Sequence, residues 1–195
     1  MYKEEEPTLF KSFLANEING EEYMLLRYAC TLERMGIIKS KEIASDLQQE
    51  YITQINNLED KDMAATVLTT LKGKGFKLFV LTNGPSRSQR LKLEVLKIKN
   101  LFDGIYISEE IKYAKPDVKA IEFLLQTEKL LKEETLMVGD SIEYDIRTAE
   151  NIGLATILID RKRQYLNYRN IKIERLNEIC KVICSINKEN ICMGD

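Results

Sequence analysis

Residues 76–84 read FKLFVLTNG, and this stretch decides the fold. The first six residues form a nearly continuous apolar run, and Thr82, Asn83 and Gly84 follow as a hydroxyl and a turn. An apolar run of this kind between helical segments predicts a strand buried on both faces, as in a parallel sheet. The preceding residues 61–71 carry apolar side chains at every fourth position, which predicts a helix. The sequence therefore predicts a helix that leads into a parallel strand.

The same alternation continues toward the C-terminus. Predicted strands cover residues 104–108, 135–138 and 155–159, and predicted helices cover residues 85–98, 117–131, 142–152 and 174–186. Helices and strands that alternate with short connections are typical of a doubly wound, Rossmann-like α/β domain with a parallel sheet.

The residues before position 58 predict helices only. One helix is expected to start near Pro7, a second to run from Gly20 to Gly36, and a third to be capped by Ser40. We therefore expect a helical part at residues 1–60, an α/β part at residues 61–187 and a tail at residues 188–195.

The composition of the 195 residues excludes several classes of function. A net charge of -2 and a hydrophobic content of 44% give no indication of binding to nucleic acid or to a membrane. The apolar runs are too short to span a bilayer, and the first residues lack the pattern of a signal peptide, so we expect a cytoplasmic protein. The absence of histidine excludes Ser-His-Asp triads and histidine acid–base catalysis. Four cysteines are too few for a disulfide scaffold.

Polar residues follow the predicted strands at the edge of the sheet where ligands bind in open parallel sheets. Thr82 offers a hydroxyl, and the backbone amides of Asn83 and Gly84 can face an anion at a helix N-terminus. Lys115 precedes Pro116, which keeps the lysine out of a helix and fixes its loop. Each signal is weak alone, because Asn-Gly turns and Lys-Pro loops are common.

Residues 138–145, VGDSIEYD, carry a stronger signal. Asp140 lies at the tip of a predicted strand, and Asp145 lies five residues further on, in the first turn of a helix. Two carboxylates that converge on one spot repel each other unless a cation compensates them, and Mg²⁺ prefers such hard oxygen ligands. The alternative is that either aspartate merely caps a helix.

Taken together, these segments resemble the second, third and fourth motifs of the haloacid dehalogenase (HAD) superfamily. Thr-Asn-Gly, Lys-Pro and Gly-Asp-x4-Asp follow each other in that order, each after a predicted strand. Residues 107–110 (ISEE) and 149–156 (AENIGLAT) are similar to the branch of small nucleotidases and phosphoglycolate-type phosphatases, subfamily IA. The helices before residue 58 are similar to part of that branch's helical cap.

The resemblance implies a phosphate site. Thr82 would donate its hydroxyl to the substrate phosphate, with the backbone amides of Asn83 and Gly84 assisting. Lys115 would neutralise charge on the nucleophile and on the transferring phosphoryl group. The resemblance also implies a catalytic and metal-binding role for Asp145, which would ligate Mg²⁺ or orient its water and Lys115, while Asp140 would bind Mg²⁺ directly.

The family's first motif, Asp-x-Asp-x-Thr at the tip of a central strand, is not found in these 195 residues. The one Asp-x-Asp, Asp60-Lys61-Asp62, follows a polar helical segment, so we reject it as the nucleophile. Two explanations stay open at this stage. Either the start is misassigned or the gene truncated, or the 195 residues are the mature chain, which closes its sheet by direct pairing of the flanking strands or with a strand from a protein partner or a second copy.

The expected function is accordingly that of a Mg²⁺-dependent HAD-type phosphatase. Its substrate would be a small phosphorylated metabolite, with nucleoside monophosphates as one class. We expect this chain to be inactive alone, because the nucleophilic aspartate motif is missing. The alternative is a non-catalytic module, a pseudoenzyme or truncated gene product, that keeps the phosphate pocket and works by binding or interaction.

Overall fold

A computed structural model describes the backbone of residues 2–192 and the side chains of residues 8–185. The helices are α1 (Tyr2–Leu14), α2 (Gly20–Arg34), α3 (Ser40–Asn56), α4 (Ala64–Gly73), α5 (Ser86–Val95), α6 (Ser108–Ile111), α7 (Lys119–Glu128), α8 (Arg147–Glu150) and α9 (Ile179–Cys192). The strands are β1 (Phe79–Thr82), β2 (Gly104–Ile107), β3 (Leu136–Gly139), β4 (Ala155–Ile159) and β5 (Lys172–Ile173).

The N-terminal helices pack on an aromatic core, and α2 begins at a local capping signal. The side chain of Asn19 accepts hydrogen bonds from two amides of the first turn of α2, which completes a capping box with Glu22. The rings of Phe13 and Tyr23 stack with their centroids 4.9 Å apart. The predicted cap of α3 is wrong, because the N-cap position is Lys39 and no side chain accepts a hydrogen bond from the first turn of this helix. The hydroxyl of Ser40 instead donates to Glu33 Oε1 at 3.1 Å.

All strand pairs are parallel, which confirms the predicted α/β fold. β1 pairs with β2 from Phe79 opposite Gly104, β3 pairs with β4 from Leu136 opposite Ala155, and β4 pairs with β5. The bounds of β4 are those predicted, whereas the two-residue β5 was missed because it is too short to carry a hydrophobic period. The predicted helix at residues 142–152 is a π-helical turn, Ile142–Ile146, followed by α8.

Within residues 2–192 the strands form two separate sheets, β1-β2 and β3-β4-β5. The same hydrophobic clusters nevertheless cover both sheets. Leu81 of β1 and Met137 of β3 pack against one cluster, and Leu78 and Val138 pack against another. Every residue of β1 and β3 is only half-buried, whereas the interior of β4 is fully buried. Direct pairing of the flanking strands, one of the two expected ways to close the sheet, is therefore wrong for the described residues. We call the unpaired junction between β1 of one sheet and β3 of the other the seam.

No helix within residues 2–192 combines the length and apolarity that a membrane span requires. The predicted division at residue 60 and the predicted tail at residues 188–195 stay predictions, and residues 193–195 lie outside the described part of the chain.

The start of α4 depends on one carboxylate. Asp60 accepts hydrogen bonds from the amides of Ala64 at 2.6 Å and Ala65 at 2.9 Å, and these amides have no partners within the first turn of a helix. Its negative charge also lies at the positive end of the helix dipole. A structural role thus accounts for the first aspartate of Asp60-Lys61-Asp62.

We expect Asp60→Ala to lower the free energy of unfolding by about 1 kcal/mol, the usual cost of losing a helix cap. Urea denaturation followed by circular dichroism measures this loss. Asp60→Asn keeps one oxygen acceptor without the charge and should fall between wild type and Asp60→Ala. An alanine variant as stable as wild type would contradict the capping role.

Candidate active site

Lys115 contacts two other predicted site residues, Asn83 and Asp145, at the carboxyl ends of β1 and β3. Lys115 lies in the loop between α6 and α7, and its Nζ donates to Asp145 Oδ1 at 2.6 Å and to the backbone carbonyl of Leu81 at 2.8 Å. The two side chains of the ion pair are 11% and 10% exposed. Because Leu81 belongs to β1 and Asp145 follows β3, Lys115 joins the two sides of the seam.

The side chain of Asn83 fixes the backbone of Lys115. Asn83 Nδ2 donates to the carbonyl of Lys115 at 2.6 Å, and the amide of Lys115 donates to Asn83 Oδ1 at 3.0 Å. The sequence predicted a role for the backbone of Asn83 only. The side-chain role was missed because it joins positions 32 residues apart, and no local pattern records such a contact.

Asp145 is held in place by the turn in which it lies. Its second oxygen, Oδ2, accepts a hydrogen bond from the amide of Ser141 at 3.0 Å, and the hydroxyl of Ser141 accepts from the amide of Tyr144. A Cβ atom on Gly139 would lie 2.3 Å from the Cβ of Asp145, far inside van der Waals contact. Asp145 can therefore reach Lys115 only because residue 139 is a glycine.

The Thr82–Gly84 loop is braced by two residues to which the sequence analysis assigned no role in the site. Thr82 Oγ1 donates to Gln89 Oε1 at 3.3 Å, and the amide of Gly84 donates to Ser108 Oγ at 2.9 Å. Ser108 begins α6 and is buried. The amide of Gly84 is thus already engaged, and its predicted part in phosphate binding stays a prediction that needs this bond to be shared or exchanged.

Asp140 lies at the exposed rim of the site, with 68% of its side chain accessible. Its Oδ2 is 3.4 Å from Nη1 of Arg161, whose guanidinium also pairs with Asp62. No group of three or more acidic or cysteine side chains that could hold a metal ion occurs in the part of the chain that the structure describes. Because both oxygens of Asp145 are engaged, its predicted metal-binding role stays a prediction, and the structure shows its contact with Lys115.

A second ion pair anchors α6, which flanks the site, to α5. Arg90 donates from Nε and Nη2 to the two oxygens of Glu110, both at 2.8 Å. Burial by itself raises the pKa of Glu110, but the hydrogen bonds from Arg90 and Ser86 outweigh it and leave the pKa below its usual range. A depressed carboxyl pKa stabilises the folded state above the unfolded-state value, and that stabilisation is lost as the pH falls through the folded-state pKa.

The parallel α/β fold, with Lys115 and Asp145 at the carboxyl ends of its strands, agrees with the family expected from the sequence. A sequence profile of the family described as haloacid dehalogenase-like hydrolase matches residues 9–159, so the chain belongs to this family. The resemblance inferred from the motifs is confirmed.

Individual relatives include phosphatases. The chain is 33% identical to a glyceraldehyde 3-phosphate phosphatase from Methanocaldococcus jannaschii, over 63% of this chain and 55% of that protein. It is 38% identical to the pyrimidine 5'-nucleotidase YjjG from Escherichia coli, over 48% of this chain and 41% of that protein. The chain spans about half the length of these curated relatives.

Solved structures support the same fold. The HAD-hydrolase YfnB from Bacillus subtilis, bound to magnesium, superposes with a TM-score of 0.72 at 22% identity, covering 93% of this chain and 79% of that one. L-2-haloacid dehalogenase from Xanthobacter autotrophicus superposes with a TM-score of 0.70 at 15% identity, covering 93% of this chain and 83% of that one. At these identities the likeness shows the fold alone.

A double-mutant cycle tests the Lys115–Asp145 pair. We expect Lys115→Met and Asp145→Asn each to lower the free energy of unfolding by about 3 kcal/mol, because each leaves a charged partner uncompensated in a poorly solvated place. The double variant should lose less than the sum of the two, with a coupling of about 1–3 kcal/mol.

Chemical denaturation of the four proteins of the cycle measures these values. Lys39→Met removes a lysine from the exposed Lys39–Glu42 pair and serves as the control, with an expected change below about 0.5 kcal/mol. Strictly additive losses at positions 115 and 145 would contradict the coupling.

Proposed function

We propose that this chain carries the phosphate-handling part of a Mg²⁺-dependent HAD-type phosphatase that hydrolyses a small phosphomonoester, with nucleoside monophosphates as one substrate class. The observation that carries the proposal is the fixed position of the Lys115 ammonium, held by Leu81, Asn83 and Asp145 beside the Thr82 loop. The phosphatases among the sequence relatives support the reaction class.

Each residue would act on the phosphate through charge or hydrogen bonding. The hydroxyl of Thr82 would turn from Gln89 to a phosphate oxygen, and the amides of Asn83 and Gly84 would donate to the same group. Lys115 presents a compact positive charge that no longer has to be desolvated or oriented when the phosphoryl group moves. Such preorganised charge is usually the largest contribution to catalysis of this kind.

The residues at the rim fit a magnesium ion. Mg²⁺ keeps several waters and binds proteins through one or two carboxylates together with substrate phosphate. The exposed carboxylate of Asp140 meets that requirement, and Asp145 would orient the ion's water or bind it directly. When bound, the ion neutralises negative charge on the phosphoryl oxygens.

The nucleophile would enter on a strand between β1 and β3. These two strands flank the seam, and no Asp-x-Asp-x-Thr occurs within the 195 residues. Asp60 and Asp62 are engaged with α4 and Arg161. We therefore expect the 195 residues alone to be inactive, and the strand with its nucleophile to come from outside them, from the same polypeptide or from a protein partner. A second copy of these residues could complete the sheet but carries no such motif.

A second candidate function follows from the same observation. Without a nucleophile, the Lys115 site would serve a phosphate-binding or interaction module that performs no hydrolysis. The two candidates differ in one respect, which is whether adding the strand creates turnover.

A fusion experiment separates these functions. We expect the 195 residues to show no hydrolysis of p-nitrophenyl phosphate with Mg²⁺ above that of Lys115→Met. A fusion that adds five apolar residues, Asp-x-Asp-x-Thr and a Gly-Ser linker before Met1 should gain activity. The same fusion with asparagine in place of the first aspartate should remain inactive. Turnover by the unfused chain would contradict the expected inactivity, and two inactive fusions would favour the binding module.

Phosphate binding is expected whether or not the chain turns over substrate. Inorganic phosphate with Mg²⁺ at about ten times its dissociation constant should stabilise the fold by about 1.4 kcal/mol and raise the melting temperature by a few degrees. Thr82→Val and Lys115→Met should lose this rise, whereas Lys132→Met, on the surface away from the site, should keep it. An equal rise in all four proteins would place the phosphate elsewhere.

A further inference from the structure

A guanidinium group bridges two carboxylates at the rim of the site. Arg161 lies two residues after the end of β4. Its Nε and Nη2 contact Oδ2 of Asp62 at 2.8 and 2.7 Å, and its Nη1 lies 3.4 Å from Oδ2 of Asp140. We call these three side chains the Arg161 bridge.

The two halves of the Arg161 bridge are unequal. The contacts to Asp62 are short and paired, and the Asp62 side chain is 22% exposed. The contact to Asp140 is long, and that side chain is 68% exposed. Arg161 is thus held mainly by Asp62 and contacts Asp140 only weakly. Asp62 belongs to the segment between α3 and α4, so the bridge connects this segment to the carboxyl end of β3.

We propose that Arg161 competes with a divalent cation for the carboxylate of Asp140. The ion pair with Asp62 limits this competition, because it holds the guanidinium away from Asp140. This inference rests on the proposed function, because it concerns the ion that Asp140 would bind. Arginine keeps its charge at every accessible pH, so a cation at Asp140 meets a fixed positive neighbour. Repulsion between a divalent ion and a guanidinium a few ångströms apart is appreciable even in water.

The role of Asp62 follows from the geometry. With Asp62 present, the guanidinium can give up its weak contact with Asp140 and keep two strong ones, which leaves the Asp140 carboxylate to the ion. Without Asp62, Asp140 is the remaining carboxylate of the bridge and would hold Arg161. The two substitutions therefore act in opposite directions on the affinity for the ion.

Isothermal titration of Mg²⁺ into the full chain tests the proposal. Arg161→Gln should tighten binding about three- to tenfold, and Asp62→Asn should weaken it about threefold. Lys162→Gln removes the same charge one residue away, where no ion pair forms among the described residues, and should change affinity less than twofold. Asp140→Asn should abolish binding. The effect of Arg161→Gln should shrink as NaCl rises from about 0.05 to 0.5 M, because salt screens exposed charges.

The possible outcomes separate this inference from the proposed function. Equal effects of Arg161→Gln and Lys162→Gln, or weaker binding by Arg161→Gln, overturn the competition, while binding that still needs Asp140 leaves the metal site standing. Binding by Arg161→Gln but not by wild type supports the competition. Binding that survives Asp140→Asn, or no binding by any protein, overturns the competition and the metal site together. The phosphate experiment then decides whether the Lys115 site stands without an ion.

Arg161→Lys is the second variant, because it keeps the charge without the planar fork of the guanidinium. Its affinity for Mg²⁺ should lie between those of wild type and Arg161→Gln.

Discussion

The hydrogen bonds around the Lys115 ammonium are the constraint on which the α/β part of this molecule depends. Two parallel sheets meet along a seam without pairing, and Lys115 reaches the backbone of one side and a carboxylate of the other. A buried ammonium is costly unless it is paired and fully hydrogen-bonded. The carboxylate of Asp145 and the carbonyl of Leu81 accept hydrogen bonds from the ammonium, and Asn83 holds the Lys115 backbone in place. The same contacts therefore shape the site and connect the two sheets.

The unpaired seam explains why β1 and β3 are less buried than β4. A parallel sheet is normally covered on both faces and continuous across its strands, and β4 has this environment. β1 and β3 share the hydrophobic clusters above and below them but have one unpaired edge each within the described chain. Unpaired edges favour the addition of a further strand. A strand placed there would end beside Lys115, where the family's chemistry needs its nucleophile.

Local patterns in the sequence predicted the elements better than they predicted the contacts between them. The apolar run of residues 155–159 predicted β4 to the residue because its short length and its β-branched residues favour a strand over a helix. The cap of α3 was predicted wrongly, since Lys39 adopts a left-handed backbone conformation and the hydroxyl of Ser40 turns to another helix. Neither event has a signature in neighbouring residues.

The candidate site was predictable to a similar extent. The motif positions around Lys115 and Asp145 were found because their order and spacing are visible along the chain. The bracing contacts of Gln89 and Ser108 and the contact of the Arg161 guanidinium were not predicted. Each makes a contact between segments that only the folded chain brings together.

The tight approach of Asp145 to Gly139 has a consequence for how this loop can evolve. Any other amino acid at position 139 would place a carbon atom inside the side chain at position 145. The nearest atom of that side chain is the Cβ of residue 145, which every amino acid except glycine carries, so replacing Asp145 as well would not relieve the clash. We therefore expect the requirement for glycine at position 139 to persist in this loop even where the side chain at position 145 changes.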